Sequence, residues 1–283
     1  MTSSQASSHE IIALANAQLE KAARGYRASR WLQVATFGLS VTSVFITSPL
    51  TYIPALIALG VQVSSWVIRN RAAKCHSAGE EGRIRGLLLD ALGTVGERVD
   101  LSNWFGRVTP SSGEALPAPV ASDYFASDAS LGMKRLCDHL QENAFWGKHL
   151  YKSAAEYYGR TLWVFSIATV GVILIAIPIT SGENNIILAR LIVVALASGA
   201  AFTQLTEVMA WRSAESKSEI LDRRLDTLAN LTTEELSSSH VGTVFSAYGD
   251  YCIATSGAPP VPTWIYARQR DRVNSLWARR ATG

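Results

Sequence analysis

Apolar residues in this 283-residue chain are gathered into four nearly uncharged blocks, residues 31–47, 53–68, 162–179 and 186–201. The blocks come in two pairs. The first pair is separated by Ser48-Pro49-Leu50-Thr51-Tyr52 and the second by Ser181-Gly182-Glu183-Asn184-Asn185, both short and polar. A helix crossing the ~30 Å hydrocarbon core of a bilayer needs ~20 apolar residues, with ~17 as the practical minimum, and each block sits near that lower limit. One such block would equally suit a buried helix of a large soluble core. Four of them, arranged as two hairpins, predict four membrane spans.

Between and after the pairs the pattern changes to helical spacing. Residues 69–93 extend the second block as a helix, with Ile84, Leu87, Leu88, Leu89 and Leu92 near its end. Residues 100–130 hold Pro110, Pro117 and Pro119 and predict a loop or small irregular element. From Gly132 to Arg160, apolar residues at Leu136, Leu140, Phe145, Leu150, Ala154 and Tyr158 predict a helix running into the third block. A further amphipathic helix is expected from Trp211 to Leu231. Thr232-Thr233-Glu234-Glu235 predicts a capping box that opens another helix. Gly257-Ala258-Pro259-Pro260-Val261-Pro262 breaks the chain before a last helix from Thr263.

Charge gives the blocks an orientation. Lys21, Arg24, Arg27 and Arg30 precede the first block, and Arg69, Arg71 and Lys74 follow the second. Lys148, Lys152 and Arg160 precede the third, and Arg212 and Lys217 follow the fourth, whereas the turns carry no cation. The positive-inside rule therefore places both termini and the central segment in the cytoplasm. Arg190, inside the fourth block, is expected to snorkel outward. Trp31, Trp66, Trp163 and Trp211 fall at the cytoplasmic ends of the blocks, as an interfacial belt would require. The predicted fold class is an all-α membrane protein: two transmembrane helical hairpins with helical cytoplasmic extensions forming a bundle. Its parts are a cytoplasmic N-terminal helix (1–30), hairpin one (31–68), a cytoplasmic helical insert (69–160), hairpin two (161–209) and a cytoplasmic C-terminal helical region (210–283).

Composition adds little to this. The chain is 48% hydrophobic and only 17% charged, and its net charge of +3 is too small to suggest DNA or RNA as a partner. Cys75, Cys137 and Cys252 predict no disulfide framework, and the polar first residues, without an apolar stretch beside a small-residue cleavage site, lead us to expect no cleaved signal peptide. The chain has none of the GxxxxGK[ST], HExxH or GxSxG motifs, so we expect no enzymatic activity, no catalytic residues and no cofactor. Cys75-His76 and Cys137-Asp138-His139 do not have a zinc spacing, and no metal is expected. The candidate functional residues are polar positions in or beside the spans: Gln62, Ser64, Ser65 and Gln204. They could line a pore, or serve only in hydrogen bonds between helices. Arg268, Arg270 and Arg272 on the last helix could meet anionic lipid headgroups or a phosphorylated ligand, or be a solvated basic face.

The chain resembles a known family over most of its length. The likeness rests on the two spaced hairpins, on Asp123-Tyr124-Phe125 and on Leu140-Gln141-Glu142-Asn143-Ala144-Phe145-Trp146 before the third block. It rests also on the ending Val261-Pro262-Thr263-Trp264-Ile265-Tyr266 with Arg268. These are features of the SMODS-associated four-transmembrane effector family, pore-forming effectors of bacterial antiphage signalling. The family usually has an acid where this chain has Thr263.

The resemblance implies a homo-oligomeric, multi-pass protein of the bacterial inner membrane. It implies that the protein permeabilises that membrane in answer to a cyclic oligonucleotide. It supplies no catalytic residues. Two other classes stay open on the residues alone: a membrane-anchored binding module that recruits a cytoplasmic partner, and a small ion or solute channel with no defence role.

Overall fold

The computed structural model describes residues 7–45, 52–93, 102–108, 117–118, 120, 124–125, 127–179 and 184–281. Side chains are described outside 43–45, 52, 172–173, 175–179, 184–198 and 200. Among the described residues there are eight helices and no strand: α1 (Ser8–Phe45), α2 (Tyr52–Leu92), α3 (Ser102–Val108), α4 (Met133–Ile179), α5 (Asn184–Ala229), α6 (Thr233–Ser239), α7 (Val241–Ser256) and α8 (Thr263–Ala281). The all-α expectation holds, and the expected helix continuations through residues 69–92 and into the third and fourth blocks are present. The two expected turns lie almost wholly outside the described residues, as do Pro110, Asp123 and the side chain of Arg190. Among the described residues no helix is long and apolar enough to cross a membrane.

Local chemistry explains most element boundaries. Ser7 caps α1: its Oγ accepts from the Glu10 N–H (3.2 Å), and the Glu10 carboxylate accepts from the Ser7 N–H (2.9 Å). The predicted capping box opens α6, with Thr232 Oγ1 accepting from Glu235 N and Glu235 Oε2 accepting from Thr232 N. α2 stops at Gly93, whose φ of +73° is left-handed and whose N–H donates to Leu89 O at 3.0 Å. The proline-rich break before α8 is pinned from two sides. His76 Nε2–H donates to Ala258 O (2.8 Å), and Trp211 Nε1–H donates to Pro259 O (2.9 Å).

The chain divides into two compact units. Unit 1 comprises Met1–Ala23, Ala73–Ser153 and Ala210–Gly283; unit 2 comprises Arg24–Ala72 and Ala154–Met209. Unit 1 has an ordinary apolar core. Leu87 and Ala91 of α2 meet Leu136, Leu140 and Ala144 of α4, Leu221, Leu225 and Leu228 of α5, Leu236 of α6 and Val244 and Ala247 of α7. Each buried leucine contributes about 1.5–3 kcal/mol relative to exposure. A second cluster joins Ile11, Leu14 and Ala15 of α1 to Ala78 of α2 and to Trp104 and Val108 of α3. α2 admits these neighbours because it presents glycine where they approach. A Cβ at Gly79 would lie 2.7 Å from the Leu19 side chain, at Gly82 2.2 Å from the Trp104 ring, and at Gly86 2.5 Å from Ile12.

Unit 2 takes in both apolar pairs and is built the other way round. Its described surface carries Trp31, Ile53, Leu56, Ile57, Val63, Trp66, Trp163, Val164, Ile167, Val170, Phe202 and Met209, all exposed. Its interior holds Ser29, Gln33, Thr36, Ser40, Ser65, Gln204 and Glu207, together with the alanines Ala55, Ala58, Ala72, Ala154 and Ala155 and, among larger side chains, Tyr26 and Val208. Trp211, expected with the other three tryptophans in an interfacial belt, is instead completely buried in unit 1, where its indole holds the proline-rich break.

Candidate functional site

The buried polar residues of unit 2 follow from helical periodicity. Ser29, Gln33, Thr36 and Ser40 recur on α1 at steps of four, three and four, so they form one face, and all are at most 3% exposed. Gln204 and Glu207 form a similar face on α5. Hydroxyls in this unit are largely satisfied by their own helices. Thr36 donates to Leu32 O, Ser64 to Gly60 O, Thr169 to Phe165 O and Thr203 to Gly199 O, each four residues back.

At one end of this polar interior, all four helices of the unit meet in a charged node. Glu207 of α5 accepts from Arg30 Nε of α1 (3.1 Å) and from Arg69 of α2 (2.6 Å), and Arg30 Nη2 lies 3.0 Å from the same carboxylate as an ion-pair contact. Arg30 Nη1 also donates to the hydroxyl of Tyr158 of α4 at 3.0 Å, and its guanidinium lies 4.5 Å from that ring's centroid. Arg69 lies over the Tyr26 ring at 5.3 Å. The Glu207 side chain is only 3% exposed, and a buried carboxylate is tolerated when cations and hydrogen bonds surround it. Two arginines to one glutamate leave the node with a formal charge of +1.

The sequence-derived candidates fall in different places. Ser65 is buried and bonded to α1: its hydroxyl donates to Ser29 O at 3.0 Å and lies 2.9 Å from Ser29 Oγ. Ser64 is exposed and donates to Gly60 O of its own helix. Gln62 is half-buried and Gln204 is buried, and the carboxamide oxygen of each has no partner among the described residues; Gln33 Oε1 is the same. The structure thus brings Ser65 to α1 and leaves the glutamine oxygens without a partner among the described residues. Sequence reasoning missed the Arg30–Glu207–Arg69 node, whose partners lie 177 and 138 positions apart. The available signal was one acid at the end of the fourth block, level with arginines at the ends of the first and second.

In unit 1, Arg268, Arg270 and Arg272 are exposed on α8, and their guanidinium groups have no ion-pair partner among the described residues. α8 is held to α4 by Phe145 against Trp277 and by Trp146 stacked on Tyr266. Arg280 pairs with Asp222 (2.6 Å) and Asp226, so the last turn of α8 is fixed to α5. Burial, then Lys148 and Arg272, holds the nearby His149 below its ordinary pKa.

The histidines adjacent to Cys75 and close to Cys137 have other partners. His139 is completely buried, stacked on Phe125, and its Nε2–H donates to Asp90 Oδ2 at 2.8 Å, an oxygen that also accepts from Arg135 at 2.7 Å. Burial pushes the His139 imidazole below its ordinary range, against the opposing pull of Asp90; burial does the same to His76. Burial likewise raises the Cys137 thiol to about 11 and the Tyr151 phenol to about 12. Among the described residues, no group of three or more His, Cys, Asp or Glu could hold a metal ion. No protein-family model matches the chain, and no curated protein or solved structure matches it.

Proposed function

We propose that unit 2 is a membrane-embedded body and that the chain is an effector that permeabilises the bacterial inner membrane during antiphage defence, in answer to a cyclic oligonucleotide. The observation that carries the membrane part is the inverted burial of unit 2. Trp31, Trp66 and Trp163 are 69%, 62% and 72% exposed while Gln33 and Glu207 are each 3% exposed. In water that arrangement would expose many large apolar side chains and bury polar groups at a cost; in a bilayer both terms change sign. Back-bonded serines and threonines suit the same setting, because lipid offers a hydroxyl no other partner.

The effector role and its signal rest on the family resemblance. Arg268, Arg270 and Arg272, exposed on α8 and without an ion-pair partner among the described residues, fit it, since guanidinium groups bind phosphate oxygens bidentately. A ligand that favours one state of unit 1 over another would shift the population of open chains. The homo-oligomer belongs to the same reading. The test uses the full chain in liposomes loaded with potassium and a fluorescent dye, with and without cyclic oligonucleotides. Loss of contents on adding ligand is expected, and retention of both under every ligand overturns the reading.

A further inference from the structure

Register within unit 2 puts three of its glutamines at one level. α1 and α2 run antiparallel there, with Ser29 opposite Ser65 and Gly25 opposite Ala72. Gln33 lies four residues beyond Ser29, and Gln62 lies three residues back from Ser65. The same holds across α1 and α5. Arg30 pairs with Glu207, Gln33 lies three residues beyond Arg30, and Gln204 lies three residues back from Glu207. At ~1.5 Å rise per residue, all three glutamines therefore sit within about one helical turn of the level of Ser29, Arg30 and Glu207, on the same side of it, while the Arg69 backbone lies about two turns from Gln62. Each has a buried carboxamide oxygen with no partner among the described residues. Beyond this layer the residues of α1 and α2 that are buried are Thr36, Ser40, Ala55 and Ala58.

A buried, unmatched carbonyl oxygen is costly, and three in one layer need an occupant that donates to them or is coordinated by them. We infer that the Gln33–Gln62–Gln204 layer is a site for a hydrated monovalent cation on a path inside a single chain, and that Arg30 and Arg69 close that path. Carbonyl oxygens replace part of a cation's hydration shell, whereas a fixed arginine charge is a barrier to cations. With Glu207 held by both arginines, the positive node faces the layer. Without them, Glu207 faces it and attracts the ion. This inference rests on the membrane reading above and places the path within one protomer.

The test uses the full chain in liposomes holding potassium and a fluorescent dye, without nucleotide. The double variant Arg30→Gln/Arg69→Gln is expected to release potassium and retain dye. Adding Gln33→Leu and Gln204→Leu is expected to abolish that release. Gln33→Asn and Gln204→Asn, which keep the carbonyl groups, are expected to preserve it, so that loss by misfolding is distinguished. Release of dye together with potassium, release that survives the leucine variants, or no release from the double variant each overturns the inference. Single cysteines at Val164 and Ile167, in a chain whose native cysteines are serine, separate this failure from that of the membrane reading. Protection of both from an aqueous thiol reagent leaves unit 2 in the bilayer; labelling of both removes the membrane reading and the cation path with it.

Discussion

The two units of this chain obey opposite burial rules with the same kind of secondary structure. Unit 1 buries Leu136, Leu140, Leu225 and Trp104 and turns Arg268, Arg270 and Arg272 outward. Unit 2 buries Ser29, Gln33, Thr36 and Glu207 and turns Trp31, Ile57, Trp163 and Ile167 outward. Helix formation is indifferent to this choice, because the backbone bonds are internal either way. What differs is the partner each face requires: water for the outside of unit 1 and, on the proposed reading, lipid for the outside of unit 2. Glycine does not follow this division: Gly79, Gly82 and Gly86 of unit 1 and Gly25 of unit 2 are pressed by neighbouring side chains, while Gly242 and Gly249 of unit 1 and Gly38 and Gly60 of unit 2 meet nothing within 4 Å among the described residues.

Four measurements would break or sharpen the contrast. The largest effect is expected from Leu140→Ala, which empties a completely buried site in unit 1 and should cost about 2–5 kcal/mol in chemical unfolding. Next is Ile167→Arg on the outside of unit 2. In a bilayer it should cost about 2.5–3.5 kcal/mol; an effect below about 0.5 kcal/mol would mean this face meets water.

Third, Gly82→Ala forces a methyl against the buried Trp104 ring and should destabilise by about 1–3 kcal/mol. Gly60→Ala has open space and should be neutral or stabilising by about 0.5–1 kcal/mol through helix propensity. Equal effects at the two glycines, read in thermal unfolding, would erase the difference in packing.

The smallest effect is that of pH. All five histidines belong to unit 1. Buried His76 and His139 have lowered folded-state pKa values. Below the ordinary value of 6.5, the unfolded chain therefore binds protons that the folded chain refuses, and stability falls as pH falls. For each the slope is at most about 1.4 kcal/mol per pH unit, and the loss is confined to the window between 6.5 and the lowered folded-state value. Thermal unfolding between pH 7.5 and 5.5 should show the loss in unit 1, and substituting both histidines with glutamine should remove most of it.

Much of the fold was legible because its causes are local. The Thr232–Glu235 capping box, the break at Gly257–Pro262 and the run of α4 into the third apolar block depend on residues a few positions apart, and each is where the pattern predicts. The tryptophans show where such reasoning stops. Trp31, Trp66, Trp163 and Trp211 stand in equivalent places beside the four blocks, yet Trp211 is buried because Pro259, 48 residues on, supplies a carbonyl for its indole. The candidate site divides in the same way. That Gln62, Ser65 and Gln204 are unusual among apolar neighbours can be read directly. That Ser65 bonds Ser29 while the glutamine oxygens have no partner among the described residues cannot, because it depends on the register between α1 and α2.

By itself, then, the sequence determined the helices, their ends and the segregation of apolar residues into four blocks, since periodicity, capping and hydropathy act over a turn or two of chain. Only the tertiary structure decided which face of each block is inside, that Arg30 and Arg69 share Glu207, and that Asp90 serves both Arg135 and His139. Those pairings join residues 45 to 177 positions apart. Their partners are chosen by how helices lie against one another, and a desolvated charge accepts whichever opposite charge that packing brings within reach.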